Sequence, residues 1–221
     1  MSQQKDDRKR GQNKGRSKSS ARWLARQERD PFTRMASRQG KVSRAHFKLE
    51  QIDRRFKLLR PGLRVLELGA APGGWTRHIE DRIGRSGLLV ACDYRPVTVG
   101  PATRVVVGEV GELKTDQQVD EALDGQRVDL VLSDMAPNIS GIRAADQARS
   151  MHLVEIAEAA AERWLKPNGT LVVKIFQGEG VEAWIRDMRK RYVRFKVVKP
   201  EASRADSREM YAVAERFRDP G

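Results

Sequence analysis

A glycine-rich turn is the part of this sequence best suited to hold a small ligand. The apolar run Val65–Leu68 leads into Gly69-Ala-Ala-Pro-Gly-Gly-Trp75, the pattern of a strand that turns into a helix. Because glycine has no Cβ, Gly69 and Gly73 let the backbone turn sharply and approach a ligand closely. The free N–H groups at the start of the next helix would then face that ligand. The segment predicts a binding site at the end of the first strand.

An acidic residue about twenty positions further on indicates what the ligand is. A second apolar run, Leu88–Cys92, ends in Asp93. At the end of the second strand of a nucleotide-binding fold, a carboxylate accepts hydrogen bonds from ribose hydroxyls. The glycine spacing departs from the dinucleotide pattern, and Trp75 follows Gly74 where a phosphate-binding loop needs lysine. The sequence therefore favours a cofactor with a single nucleoside over NAD, and it argues against phosphate transfer.

Four charged side chains stand at predicted strand ends or on the helix before the sheet. Lys174 closes the apolar run Leu171–Val173, and Asp134 stands where a fourth strand ends. Because the first and fourth strands of a doubly wound sheet flank the point where strand order reverses, Asp134 should lie near a bound nucleotide. Lys48 precedes the sheet, and Glu209 begins the last strand. Each also has an ordinary structural explanation, since edge lysines reach to water and aspartates form turns.

The elements that position these residues follow an alternating pattern after Pro61-Gly62. Strand and helix patterns in alternation predict an α/β fold with a doubly wound, mostly parallel, seven-stranded sheet and helices on both faces. Helical spacing of apolar residues after Ser43, a good N-cap, predicts one more helix before the sheet. The predicted strands are 64–68, 88–92, 104–107, 128–133, 170–175, 193–198 and 209–214, and the predicted helices lie near 74–83, 116–124, 146–165 and 179–191. Ligands of such sheets bind at the carboxyl ends of the strands, where Gly73, Asp93, Glu109, Asp134 and Lys174 fall.

The net charge of +13 is concentrated at one end of the 221-residue chain. Residues 1–60 hold 19 Lys/Arg and 6 Asp/Glu, whereas the remainder holds 24 of each sign. Such a segment favours a polyanion, most simply nucleic acid, although a solvated tail that aids solubility is the alternative. We expect residues 1–30 to form a basic tail that is disordered until bound, with a short helix over 21–29, and residues 31–216 to form one domain.

Composition excludes several classes of protein. A single cysteine, Cys92, allows neither an internal disulfide nor a cysteine-based zinc site, and the three histidines have no ligand spacing, so no metal is expected. Apolar runs of the roughly 20 residues that a membrane span needs are absent from the sequence, as is a secretion signal, which favours the cytoplasm. Cys92 lies at a strand end near the expected cofactor, which does not suit a cytosine-C5 methylase. The loop Met135–Asn138 lacks the aromatic residue of base-amine methylases.

Five motifs in this order resemble the FtsJ/RrmJ family (also called RlmE) of S-adenosylmethionine-dependent ribosomal RNA ribose 2′-O-methyltransferases. The resemblance covers residues 40–215. The motifs are Ser43-Arg-Ala-His-Phe-Lys-Leu49, Gly69-Ala-Ala-Pro-Gly-Gly-Trp75, Ser133-Asp-Met-Ala-Pro-Asn138, Val173-Lys-Ile-Phe-Gln-Gly178 and Ser203-Arg-Ala-Asp-Ser-Arg-Glu-Met-Tyr211.

The resemblance implies a methyl transfer to a uridine ribose of large-subunit (23S-type) ribosomal RNA on the assembled 50S particle. We expect the enzyme to act as a monomer. Two departures from the family stand out, because Glu109 and Glu67 stand where aspartate is usual, and we expect them to weaken or shift cofactor binding. The implied catalytic residues are Lys48, Asp134, Lys174 and Glu209, and the implied cofactor-binding residues are Gly73, Trp75, Asp93 (ribose), Glu109 (adenine amine) and Asp134.

A ribose hydroxyl is a poor nucleophile that must be positioned and helped to lose its proton. By resemblance, Lys174 is the preferred base, for which it must be uncharged. If it stays charged, it can orient the hydroxyl while Asp134 takes the proton late. Two other functions remain open, namely 2′-O-methylation of transfer RNA or the messenger cap and a non-catalytic, RNA-binding ribosome-assembly factor. The retained pairs of lysines and acids argue against the assembly factor.

Overall fold

The computed structural model describes residues 30–218, which form one seven-stranded sheet and its helices. The strand order is β3-β2-β1-β4-β5-β7-β6. The first five strands are mutually parallel, whereas β7 is antiparallel to both of its neighbours. The elements are α1 (Pro31–Arg38), α2 (Ala45–Phe56), β1 (Arg64–Leu68), α3 (Thr76–Ile83), β2 (Leu88–Asp93), β3 (Thr103–Val107), α4 (Leu113–Ala122), β4 (Val128–Ser133), α5 (Arg143–Trp164), β5 (Leu165–Phe176), α6 (Val181–Arg191), β6 (Tyr192–Val198) and β7 (Glu209–Phe217).

The centre of the sheet is buried on both faces. Strands β1, β2 and β4 are apolar runs, as expected of parallel strands covered by helices on both sides. One core contains side chains of α2 and α3, such as Leu49 and Ile79, against alternate strand residues. The other core contains side chains of α4, α5 and α6, such as Val119, Val154 and Ile185. Helices therefore cover both faces.

The antiparallel strand β7 brings its first residue to the ligand-binding edge. Its register pairs Tyr211 with Lys174 and Glu209 with Phe176, the last residue of β5. Since β5 ends where β7 begins, a residue at the start of β7 lies beside the carboxyl ends of the parallel strands. This is why Glu209 can approach Lys174.

The prediction of a mostly parallel, seven-stranded α/β sheet is confirmed. The antiparallel placement of β7 between β5 and β6 was not foreseen, because it depends on contacts distant in the sequence. Helix α2 begins at Ala45, and Ser43 accepts a hydrogen bond from the backbone N–H of Ala45 at 3.2 Å although Arg44 occupies the N-cap. The predicted basic tail and the helix over 21–29 lie outside the described residues, except for Asp30.

Helix α1 was missed by the sequence analysis. It is short and polar, so apolar spacing gives no signal for it. The start of the helix does carry a sequence signal. Asp30 caps the backbone N–H groups of Phe32 and Thr33, and Pro31 occupies the first turn. In the described part of the chain, none of the helices combines the length and apolar character needed to cross a membrane.

Candidate active site

The glycine turn fits closely against the loop that follows β4. Gly69 has φ +75°, and a Cβ placed on it would lie 2.8 Å from Cγ and 2.9 Å from the backbone N of Met135. Any larger residue would therefore push these two loops apart. Gly73 has φ +100°, a conformation that glycine adopts readily. The structure thus explains the predicted glycines by backbone conformation and close approach.

Asp93 is the acid predicted to hold a ribose, and it lies at the end of β2 beside the glycine turn. Its side chain is only 3% exposed. Oδ2 accepts a hydrogen bond from the backbone N–H of Ala71 at 2.9 Å, and Oδ1 accepts one from that of Arg95 at 2.9 Å. Arg95 Nε lies 3.4 Å from Oδ1 as well, so of the roughly four acceptor positions of a carboxylate about one is left for a ribose hydroxyl.

A cavity of about 940 Å³ opens at this edge of the sheet. Ligand pockets commonly measure about 300–1,000 Å³, so the cavity is large enough for a nucleoside cofactor. Three of the predicted cofactor residues line it, namely Asp93, Glu109 and Asp134. Glu109 is exposed at its rim.

Trp75 and Gly73, also predicted to bind the cofactor, are not among the residues that line this cavity. The indole of Trp75 is 2% exposed. Its Nε1 donates to the carbonyl of Ala45 at 2.9 Å, and its ring centroid lies 5.6 Å from that of Tyr211. The Trp75 side chain therefore joins α2 to the sheet, and a cofactor contact from it would have to use the backbone.

Lys174 and Asp134 form a buried ion pair at the ends of β5 and β4. The Lys174 Nζ lies 2.7 Å from Asp134 Oδ1 and also donates to the backbone carbonyl of Asp134 at 2.8 Å. The carboxylate and the carbonyl thus occupy two of the hydrogen-bond donors of this amine. An ammonium has three donors, so one N–H is left for a hydroxyl group.

Lys48 and Glu209 form a second ion pair, with 2.6 Å between Lys48 Nζ and Glu209 Oε1. Ser203 Oγ donates to the same oxygen at 2.9 Å. Burial, reinforced by the like charge of Lys174, lowers the pKa of Lys48 against the opposing effect of the two carboxylates. Burial would raise the pKa of Glu209, but Lys174 and Lys48 outweigh it and lower that pKa.

Tyr211 joins the two ion pairs, and the sequence analysis gave it no role. Its side chain is fully buried, and its hydroxyl donates to Asp134 Oδ1 at 2.6 Å and lies 3.5 Å from Glu209 Oε1. Burial and the two carboxylates raise the pKa of Tyr211 well above its ordinary value, so it remains a donor. A signal was available, because Glu209 and Tyr211 are two residues apart on one strand and thus share a face.

The structure therefore brings together all four predicted catalytic residues. Two amines, two carboxylates and a phenol lie beside a nucleoside-sized cavity, an arrangement that can orient a hydroxyl and accept its proton. Glu67, one of the two departures noted above, is buried in β1 and accepts a hydrogen bond from Thr76 Oγ1 at 2.7 Å. Burial raises the pKa of Glu67 to about 8.

The described residues contain no cluster of side chains suited to bind a metal ion. Between Asp30 and Arg218, no group of three or more His, Cys, Asp or Glu side chains could hold a metal ion.

The fold and site define an α/β protein of the nucleoside-cofactor-binding class, and comparison with known proteins gives the family. The model of the FtsJ-like methyltransferase family matches residues 41–217. A protein named ribosomal RNA large subunit methyltransferase E from Stutzerimonas stutzeri is 44% identical over 92% of this chain and 98% of its own length. Its namesake from Stenotrophomonas maltophilia is 45% identical over 90% and 95%, respectively. The chain belongs to the FtsJ-like methyltransferase family.

A solved structure supports the fold. The crystal structure of a protein described as a ribosomal RNA methyltransferase from Plasmodium falciparum superposes with a TM-score of 0.72. The match covers 79% of this chain and 97% of that one at 24% identity. At this identity the likeness concerns the fold alone.

Proposed function

We propose that this protein transfers a methyl group from S-adenosylmethionine to the 2′-hydroxyl of a uridine ribose in large-subunit ribosomal RNA. The observation that carries the proposal is the buried cluster in which Tyr211 joins the Lys174–Asp134 and Lys48–Glu209 pairs beside the cavity. Relatives at about 44% identity that are named large-subunit ribosomal RNA methyltransferases support the substrate. A binding protein without catalysis has no need of two buried lysine–carboxylate pairs, which cost free energy to desolvate.

The residues around the cavity fit S-adenosylmethionine. Asp93 keeps about one acceptor position for a ribose hydroxyl while it holds the glycine turn in place. Glu109 at the rim offers a carboxylate to the adenine amine. Of the glycine turn, Gly69 and Ala71 line the cavity, whereas Gly73 and Trp75 do not. When bound, the cofactor supplies a methyl group on a positively charged sulfur.

Lys174 and Asp134 act on the hydroxyl group. With two of its N–H groups held by Asp134, Lys174 directs the third at the ribose oxygen and fixes its position. Positioning of this kind can remove several kcal/mol from a barrier. Were the methyl carbon to pass to this ribose oxygen, its bond to the cofactor's sulfur would break as the C–O bond forms, the neutral thioether would leave, and the hydroxyl proton would pass to the Asp134 carboxylate of the pair. Lys174 would orient the hydroxyl through its third N–H, whereas a role as the base requires it to be uncharged.

Lys48 and Glu209 complete the site on the side of α2. Lys48 is buried, and burial lowers its pKa. Its positive charge, held by Glu209, also favours loss of a proton from a nearby hydroxyl. We infer that this pair orients the ribose and tunes the Lys174–Asp134 pair.

We extend this proposal to the domain organisation, the oligomeric state, the substrate particle and the location of the protein. We take residues 31–216 to be a single methyltransferase domain that works as a monomer, without a metal, on the assembled 50S particle. A ribosomal substrate in turn supports a cytoplasmic location. Methylation of transfer RNA is the alternative within the same chemistry.

Methyl transfer to defined substrates tests the proposal. The protein is incubated with labelled S-adenosylmethionine and with 50S particles, free 23S-type RNA or transfer RNA, all from cells that lack the activity. We expect label on 50S particles at one 2′-O-methyluridine, mapped by ribose-methylation-sensitive sequencing. Label on transfer RNA alone would contradict the ribosomal substrate. Cofactor binding without transfer to any of the three would favour the assembly factor.

A further inference from the structure

A basic groove leads away from the catalytic pair Lys48–Glu209. It has a volume of about 460 Å³ and runs between α2 and the segment that follows β6. Three of its lining residues are cations, Arg54, Arg55 and Lys199, and one is an acid, Glu201. All four are exposed. The groove is therefore positively charged and open to solvent.

Both walls of the groove connect to the active site. Gln51, Ile52 and Arg55 follow Lys48 by three, four and seven residues, so they lie on the same face of α2 as the catalytic lysine. From Lys48 to Arg55 the helix axis advances about 10 Å, the length of a few nucleotides. The other wall, Val198–Glu201, continues into Ser203, which contacts Glu209.

The groove wall is held in place independently of any ligand. Gln51 accepts a hydrogen bond from the backbone N–H of Ala202 at 3.1 Å and so ties the two walls together. Lys199 donates to the carbonyl groups of Ala205 at 3.0 Å and Ser207 at 2.6 Å. Lys199 is thus held by its own loop. Arg54 and Arg55 are exposed, and the Arg55 guanidinium lies 5.4 Å from the centroid of the Phe56 ring, so these two arginines are the cations that a ligand can reach.

We propose that this groove binds the phosphodiester backbone of the RNA that flanks the reacting nucleotide, with Arg54 and Arg55 as phosphate contacts. The inference rests on the proposed function and assigns a path to its substrate. Arginine suits this role because its planar guanidinium donates two parallel hydrogen bonds to a phosphate. Contacts of this kind fix register and do not read sequence.

Site-directed crosslinking tests the path directly. The only cysteine of the chain, Cys92, is buried and burial raises the pKa of its thiol to about 12, so a cysteine introduced at Arg55 can be labelled selectively. The Arg55→Cys protein carries a photoactivatable maleimide and is irradiated with 50S particles. Arg186→Cys on α6, exposed and on the opposite face of the sheet, is the matched control.

We expect Arg55→Cys to crosslink to nucleotides next to the methylated uridine and the control to give no crosslinks there. Crosslinks elsewhere, or equal yields from both variants, would overturn the proposal. Wild-type protein is assayed for methyl transfer on the same particles. Transfer by wild type with no crosslink near the target rejects the groove alone, whereas absence of transfer rejects the proposed function and the groove with it.

Charge reversal gives a second measurement. The double change Arg54→Glu with Arg55→Glu should lower kcat/KM for 50S particles about tenfold and make its salt dependence shallower. The affinity for S-adenosylmethionine should stay within twofold of the wild-type value, because no residue that lines the groove also lines the cofactor cavity. Arg186→Glu with Arg189→Glu on α6 is the control. Equal kcat/KM for the two double variants would contradict the proposal.

Discussion

Asp134 is the residue on which the site converges. Its Oδ1 receives both the Lys174 ammonium and the Tyr211 hydroxyl, at 2.7 and 2.6 Å. Each donor comes from a different strand, so the position of the carboxylate is fixed from two directions. Removal of either donor should therefore change the chemistry more than the fold.

Tyr211→Phe removes the hydroxyl and keeps the ring packed on Trp75. A hydrogen bond to a charged group contributes about 1.5–3 kcal/mol, so we expect kcat to fall roughly ten- to hundredfold. Labelled methyl transfer to 50S particles measures this. Tyr192→Phe, a buried tyrosine of β6 in the other core, is the control and should stay within about twofold. Equal activity of the two variants would show that the Tyr211 hydroxyl does not contribute to methyl transfer.

Glu67→Gln should change how stability depends on pH. The folded protein keeps the proton on Glu67 up to a pKa of about 8, whereas the unfolded chain releases it near 4.5. The free energy of unfolding of the wild type should therefore fall between these values as pH rises, by about 1.4 kcal/mol per pH unit from this group. The amide that replaces the carboxyl group in the variant cannot ionise. Urea denaturation at several pH values should show the variant gaining on the wild type from pH 5 to 8, and parallel curves would contradict the prediction.

At the scale of elements, Asp30 connects three segments around the site. Its carboxylate caps α1 and pairs with Arg44, at the start of α2, and with Arg204, whose Nε lies 3.5 Å away. Arg44 in turn donates to the carbonyl of Ala202, next to the serine that holds Glu209. Helix α1 and the segment before β7 are thereby fixed relative to α2.

Asp30→Asn keeps an oxygen for the helix cap but leaves two arginines without their counter-ion. Both pairs are partly buried, so we expect the free energy of unfolding to fall by about 1–3 kcal/mol, between the costs for exposed and for buried pairs. The exposed pair Asp187–Lys190 provides the control, and Asp187→Asn should cost under about 1 kcal/mol. Chemical denaturation of both variants measures the difference. A loss for Asp30→Asn no larger than the control would show that the pair adds no net stability.

The sequence predicts most of the sheet, and it singles out four candidate catalytic residues that the fold brings together, but it does not predict how they are joined. The apolar runs that end in Asp93, Asp134 and Lys174 each predict a strand, and each places a candidate functional residue at the end of that strand. Tyr211 was missed because a tyrosine on a strand is most simply a core aromatic, although its spacing from Glu209 places the two on one face. Trp75, predicted to bind the cofactor, has its side chain in the core. These differences depend on the position of β7 beside β5, which only long-range pairing determines.

In the whole molecule, most of the excess positive charge lies apart from the buried ion pairs of the site. The buried pairs at the site are balanced in sign, whereas the excess positive charge lies in the first 60 residues. The sequence therefore predicts that attraction to RNA comes largely from a segment outside the catalytic cluster.

Deletion of residues 1–25 removes eight Lys/Arg and two Asp/Glu while it leaves Asp30 in place. We expect KM for 50S particles to rise and the plot of log kcat/KM against log salt concentration to become shallower, because fewer phosphates are neutralised. The value of kcat at saturating particles should change little. An unchanged salt dependence would support the alternative that the tail only aids solubility.

We propose that Lys174, held by Asp134, acts on the hydroxyl and not on the cofactor. Lys174→Ala and Lys196→Ala, an exposed lysine of β6, are compared in labelled methyl transfer to 50S particles and in calorimetric binding of S-adenosylmethionine. We predict that Lys174→Ala loses at least about a thousandfold in transfer, as expected for loss of proton transfer and positioning together. Its affinity for the cofactor should stay within a few-fold of wild type, and Lys196→Ala should match wild type in both measurements. Near-normal transfer by Lys174→Ala would contradict the account.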